Sequence, residues 1–481
     1  MNSKTIGFLA GISALALAFL APPPGGMPTD AWKVAGMAIM MASWWISECL
    51  PISATALIPI FLLPLLGVSS PVSAAAPFAD PIIFLFLGGF IIGIAMQRWD
   101  LHRRVGLRVI MLAGTTPNRL LGGFLLSTAA ISMWVSNTAT AIMMLPVAIS
   151  VTSLVCSTAS GGHADEKESS NRNLQIILIL AVAYGASIGG LATLIGTPPN
   201  ALLAGYLSRE HGITLGFARW MIVGVPVTLL MLAACWALLL RLFPVAPETG
   251  AGAHAIIERE LAALGPISTA EKRVAAIFVL IALGWITRPL YAHLVPGIND
   301  ASIAIAGALM LFALPSGMKE GGRLLEWNDL RALPWGVLIL FGGGLSLADA
   351  ISTSGLAAWL GAMMQGIATW PPLLVIAIAT IGMIFLTEIT SNTASAATFL
   401  PFGGAIAAGI GMDPLLLTVP LALAASCAFM LPVATPPNAI VYASNRIAVG
   451  HMVRAGFWLN LIGAAIILAV TFTTADLIAP R

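Results

Sequence analysis

Two short polar stretches carry the chemistry this chain could do: Ser132-Met133-Trp134-Val135-Ser136-Asn137-Thr138 and Thr387-Glu388-Ile389-Thr390-Ser391-Asn392-Thr393. Both end in Ser-Asn-Thr, and both lie between strongly apolar segments, 120–131 and 139–155 for the first, 373–386 and 394–410 for the second. Each is followed by a second motif that interrupts another apolar run, Gly196-Thr197-Pro198-Pro199-Asn200 and Ala434-Thr435-Pro436-Pro437-Asn438. Hydroxyls and amides both donate and accept hydrogen bonds. Paired prolines remove backbone N–H groups and open a helix, and carbonyls freed in this way suit an alkali cation. The helix that begins after each tip or break aims its N-terminus, worth about half a positive charge, at the same region. Each half of the chain can therefore build one cation site from carbonyl and side-chain oxygens. Between the two sites, facing Ser-Asn-Thr tips can hold a carboxylate through neutral donors and dipoles.

What these stretches lack is equally informative. Neither tip and neither Pro-Pro break contains Arg or Lys. An uncompensated charge near a membrane midplane costs roughly 2.5–3.5 kcal/mol on insertion scales, so a bound anion needs cations beside it, and the two ligands then favour each other's binding. Glu388 has no counterpart in the first tip and reads as an anchor for neighbouring backbone. Trp134 reads as packing. There is no HExxH and no histidine in a tip, which leaves no basis for an enzyme. No basic patch with interleaved aromatics suggests nucleic acid. Cys49, Cys156, Cys235 and Cys427 have no ligand-like spacing and read as small core residues.

The elements that must position these stretches are membrane spans. Of 481 residues, 59% are hydrophobic and 9% charged, with mean hydropathy +0.96, against roughly a quarter charged in soluble domains. Apolar segments fall at about 6–20, 31–49, 52–66, 82–97, 174–206, 219–240, 274–292, 302–314, 336–355, 415–444 and 455–475. The two segments interrupted by the tips, about 118–155 and 371–410, would turn polar centres to lipid if they crossed singly. Each reads instead as a re-entrant helical hairpin with its tip near the midplane. The predicted fold class is an all-α polytopic membrane protein with about 11 transmembrane helices plus two hairpins.

With the N-terminus cytoplasmic and segment 6–20 retained as a span, Arg98, Arg103, Arg104, Arg108, Arg172, Arg241, Arg273, Arg446 and Arg454 fall inside. Lys33, Arg209, Arg219, Arg288 and Arg481 remain outside, with the C-terminus. That asymmetry follows the positive-inside rule and brings the first hairpin in from the cytoplasm and the second from outside. An inverted repeat accounts for the pattern. Phe86-Leu87-Gly88-Gly89-Phe90-Ile91 resembles Leu340-Phe341-Gly342-Gly343-Gly344-Leu345, and in each half a hairpin and a Pro-broken span follow. Paired Pro-interrupted segments point to a transporter's binding site. Stretch 157–173 reads as a cytoplasmic loop. Stretch 245–273, with Glu258, Arg259, Glu260, Glu271, Lys272 and Arg273, reads as a solvated interfacial linker between the halves.

Two Ser-Asn-Thr tips, each followed by a Thr-Pro-Pro break, resemble the divalent-anion:sodium symporter (DASS) family over nearly the whole chain. The resemblance implies an elevator transporter and a homodimer in the bacterial inner membrane, surrounded by lipid. Scaffold helices would lie at 1–110 (with the extra N-terminal span) and 274–370. Transport-domain parts would lie at 111–273 and 371–481. It also implies at least two sodium ions, the first on Ser132, Ser136, Asn137 and the Gly196 carbonyl, the second on Thr387, Asn392 and the carbonyls of Thr390 and Ala434. Substrate carboxylates would meet Ser136, Asn137, Thr138, Ser391, Asn392 and Thr393, with Thr197, Thr435 and Pro436 lining the broken helices. The implied function is sodium-coupled symport of a C4-dicarboxylate such as succinate, malate or fumarate into the cytoplasm. Sodium-independent exchange of dicarboxylate or citrate is the alternative. A sulfate transporter and a cation/proton antiporter come after it, the last having only Glu388 to work with.

Overall fold

The computed structural model describes residues 2–114, 116–157, 164–246, 253–318 and 321–478. Arg481 and residues 158–163 of the 157–173 stretch lie outside these residues, as does the side chain of Cys156. The described residues form helices and connecting turns, with no strand beyond an isolated bridge between Pro315 and Arg323. Among the described residues, seven helices are long and apolar enough to cross a membrane: Ser3–Leu20, Pro71–Arg98, Ser169–Gly190, Phe217–Leu242, Thr269–Tyr291, Trp335–Thr353 and Val449–Thr474. Cys235 and Cys427 are free and buried, and Cys49 is free and half-buried.

The layout follows from which helices meet lipid and which meet protein. Ser169–Gly190 is enclosed on all sides and forms the centre of the molecule. Ser3–Leu20 lies at the periphery against Thr29–Ser47, where Phe8 stacks on Trp44 at 5.2 Å and the Trp44 indole donates to the Phe8 carbonyl. Small residues let helices cross closely without polar help. A Cβ at Gly88 would lie 2.6 Å from that of Ala304, and one at Gly343 would strike the backbone of Ala56. The glycines that mark the repeat therefore sit at close crossings.

Segment 52–66 forms one apolar helical run, Ile52–Leu65, with a turn at Ala56 and Leu57 that keeps right-handed helical angles. Pro51 precedes the run, and Pro59 and Pro64 lie after the turn. One expectation needs correction. The linker charges are not simply solvated. Helix Ala253–Ala263 and the capping box of Thr269–Tyr291 (Ser268 with Glu271) pack under the amphipathic helix Leu101–Ala113. There Arg104 Nε donates to Glu271 Oε1 at 2.6 Å, and its other nitrogens donate to the carbonyls of Gly265 and Leu264 at 2.9 and 3.1 Å. Both side chains are almost fully buried, while Arg103 pairs with Glu260 at a more exposed position. A carboxylate can be buried at position 271 because a guanidinium 167 residues away meets it.

Arg104→Met strands that carboxylate and should cost about 3–5 kcal/mol. Arg104→Met with Glu271→Leu should recover most of the loss, read as melting temperature of the purified protein. A double variant no more stable than the single would mean the pair itself is what holds this corner together.

Candidate functional site

The first hairpin has arms Pro117–Ser132 and Asn137–Ser157, the second Pro372–Thr387 and Asn392–Gly409. The intervening turns, 133–136 and 388–391, are the predicted tips. The two broken spans are Ala164–Gly190 with Pro198–His211, and Pro414–Ala425 with Pro436–Ala443. Both restart at a Pro-Pro pair because proline is at home in the first helical turn and forces the residue before it to be extended. Thr197 (φ −145, ψ 143) and Thr435 (φ −141, ψ 150) adopt nearly the same conformation.

The unwound backbone upstream of each pair is held by the motif's asparagine. Asn200 Nδ2 reaches the carbonyls of Gly190 and Thr193 at 3.2 and 2.8 Å, and Asn438 Nδ2 reaches those of Ala428 and Leu431 at 3.2 and 3.0 Å. Both asparagines are fully buried and use the same two offsets, ten and seven residues back. Sequence reasoning assigned them no role, although the signal was present: the asparagine closes both Thr-Pro-Pro-Asn motifs.

Behind each tip, oxygens outnumber protons. Ser132 Oγ lies 2.6 Å from Asn137 Oδ1 and 2.7 Å from the Ala186 carbonyl. Thr387 Oγ1 lies 2.7 Å from Asn392 Oδ1 and 2.9 Å from the Ala425 carbonyl. A hydroxyl has one hydrogen for two such acceptors. In the first cluster the Asn137 amide presents its oxygen to acceptors alone. Turned over, its nitrogen would donate to Ser132 Oγ at 2.6 Å and to the carbonyls of Ala186 and Gly196 at 3.2 and 3.3 Å. A cation between these oxygens would require the amide oxygen to face them, whereas without one the turned-over amide meets the same three oxygens with hydrogen bonds. Among the described residues no group of three His, Cys, Asp or Glu could hold a metal. A cation here rests on hydroxyl, amide and carbonyl oxygens.

In front of the tips lies a cavity of about 1060 Å³. Ser136, Asn137, Thr138, Thr197, Ser391, Asn392, Thr393, Thr435 and Pro436 all line it, as do Gly196, Thr390 and Ala434. Ser132 and Thr387 do not; they are fully buried behind the tips. Several of these hydroxyls already have partners. Ser136 Oγ accepts from Ala139 N, and Thr435 Oγ1 caps its helix by accepting from Asn438 N. Thr390 Oγ1 bonds back to the Leu386 carbonyl and meets Ser395 Oγ at 2.6 Å, so what Thr390 has to offer a ligand is its carbonyl. The halves touch where Thr197 Oγ1 meets Ser426 Oγ at 3.3 Å. Trp134 stacks on Phe217 and meets the edge of Phe278, which braces the first tip from the side. Among the described residues Lys4 is the one basic residue on the cavity wall, which also includes Ser47, Glu48, Gln97 and Ala332.

Residues 2–478 match the family described as the sodium:sulfate symporter transmembrane region. The chain is 41% identical over 474 residues to the sodium-dependent dicarboxylate transporter SdcS of Staphylococcus saprophyticus, covering 98% of this chain and 91% of that one. It is 40% identical over 481 residues to SdcS of Staphylococcus aureus, with the same coverage. Its fold is similar to that of the YdaH transporter of Alcanivorax borkumensis, with a TM-score of 0.55 at 14% identity over the whole of both chains. With a family match spanning almost every residue, this multi-pass membrane protein belongs to the sodium:sulfate symporter (DASS) family.

Proposed function

We propose that the protein is a sodium-coupled symporter that carries a C4-dicarboxylate, such as succinate, malate or fumarate, into the cytoplasm. The observation that carries this reading is the pair of oxygen clusters behind two Ser-Asn-Thr tips that share one cavity with no basic residue at its floor. A dianion there finds hydroxyl and amide donors but no fixed positive charge, and sodium in the two clusters supplies it. The names of the SdcS relatives agree with both ligands.

The first sodium is held by Ser132, Ser136, Asn137 and the Gly196 carbonyl, the second by Thr387, Asn392 and the carbonyls of Thr390 and Ala434. Asn137 and Asn392 turn their oxygens to sodium and so leave their nitrogens to the substrate. Loss of sodium frees the amide to turn, and the substrate then meets an oxygen. Each tip therefore couples the two ligands through one side chain. Tips and broken helices move together as a transport unit made of 111–273 and 371–481. Contacts joining its two pieces, Thr197 with Ser426 and Tyr184 with the Met452 carbonyl, support their acting as one body. Segments 1–110 and 274–370 form the scaffold, and the protein is a homodimer. With the N-terminus cytoplasmic and the C-terminus outside, the cavity wall at Lys4, Gln97 and Ala332 faces the cytoplasm, which makes this the inward-open arrangement of an elevator cycle.

The direct test is labelled succinate uptake into proteoliposomes with sodium, potassium or choline outside and no dicarboxylate inside. Uptake driven by an inward sodium gradient alone is expected. Uptake that waits for internal dicarboxylate and ignores sodium would mean exchange, and would remove the two-sodium reading. Asn137→Ala should weaken sodium and succinate binding together, each by about tenfold or more, since hydrogen bonds to charged groups are worth 1.5–3 kcal/mol. Loss of one alone would break the shared-ligand geometry. Thr393→Val should raise the KM for succinate without lowering the melting temperature, and an unchanged KM would take Thr393 out of the pocket.

A further inference from the structure

Glu388 is buried in the second tip, immediately after Thr387, and the binding scheme above gives it no task. Its oxygens accept four hydrogen bonds. Oε1 takes the backbone N–H groups of Phe429 and Met430 at 2.8 and 2.9 Å and the Asn460 amide at 2.7 Å, and Oε2 takes the Leu431 N–H at 3.0 Å. Every partner is a donor. The three backbone amides belong to the unwound stretch that leads to Ala434.

The first half solves the same problem differently. Matched through Asn200 and Asn438, the corresponding stretch begins at Leu191. There the amides of Leu191 and Ala192 donate to Ile188 and Gly189 within the chain's own turns. Tip and break are joined by a neutral bond, from Thr193 Oγ1 to the Met133 carbonyl at 2.6 Å. Met133 follows Ser132 as Glu388 follows Thr387. Only in the second half does a charged group of the tip fix the backbone of the break.

We propose that Glu388 is a positioning residue for the second sodium site: it clamps residues 429–431 and thereby sets where the Ala434 carbonyl stands relative to Thr387 and Asn392. The inference rests on the symport reading and adds an asymmetry to it. The second site depends on a carboxylate outside the coordination sphere, whereas the first is built from neutral groups. Its sodium affinity is accordingly sensitive both to the charge at position 388 and to its reach.

The test is sodium-dependent thermal stabilisation of the purified protein without dicarboxylate, followed by succinate affinity at saturating sodium, in the wild type and in Glu388→Gln, Glu388→Asp and Asn460→Ala. Gln removes the charge, and Asp keeps it but shortens the reach. Both should raise the sodium midpoint by about tenfold or more, the usual cost of losing a group that orients a metal ligand, and should flatten the titration because the weakened site fills after the other. Succinate affinity at saturating sodium should stay within about twofold, because Glu388 does not reach the cavity. A merely structural residue would lower the melting temperature and leave the sodium midpoint in place, and that result overturns the proposal. An Asp variant with the wild-type midpoint overturns it too, since charge alone would then suffice. If neither position-388 variant folds, Asn460→Ala decides: a midpoint raised by about threefold supports the clamp, and an unchanged one removes it. A wild type indifferent to sodium would instead take away the symport reading itself, a separate outcome.

Discussion

A backbone carbonyl or amide left unpaired at membrane depth costs several kcal/mol, and nearly everything around the site answers to that constraint. Four times the chain stops being helical between long apolar segments, and each time the exposed groups are met by a dedicated partner. Asn200 and Asn438 return to the carbonyls upstream of each proline pair, Thr193 ties the first break to the first tip, and Glu388 takes three amides at once. What remains after this pairing is a small surplus of oxygens behind each tip. The surplus is what a cation can use. Binding capacity here comes from the oxygens that this pairing leaves over.

Much of this was legible in the sequence because the motifs are themselves the solutions to the constraint. Ser-Asn-Thr marks a tip where a helix restarts, capped by Ser136 Oγ in the first half and by no side chain in the second. Thr-Pro-Pro-Asn marks a break since two prolines cannot continue a helix and the asparagine can mend the backbone behind them. The observed helices start at Asn137, Pro198, Asn392 and Pro436 for these reasons. Other features left no trace. Ala186 and Ala425 contribute carbonyl oxygens, and an alanine's side chain says nothing about where its carbonyl points. The pairing of Arg104 with Glu271 joins residues far apart in the chain, so each looked like an ordinary surface charge.

The two halves share a plan without sharing every means. Hydroxyl, asparagine and carbonyl recur at matching offsets, and the threonines before the prolines have almost the same dihedral angles. The ties between tip and break differ, a hydroxyl to a carbonyl in one half and a carboxylate across three amides in the other. The sides differ as well: an aromatic stack around Trp134, with Phe217 and Trp285 face to face at 4.6 Å, braces the first tip. Equivalent geometry reached by unlike contacts leaves each site free to respond separately to substitution.

The enclosure of Ser169–Gly190 bears on how the chain is made. Tyr184 on this helix bonds to Met452, and Asn460 on the same late helix completes the shell of Glu388. The centre of the molecule therefore cannot close until residues beyond 450 have left the ribosome. At synthesis rates of about 5–20 residues per second, the first half must wait in the bilayer for on the order of ten seconds or more with a protein-seeking face turned to lipid or to an insertion factor. A core that is assembled from both ends of the chain makes its completion one of the last events of biogenesis.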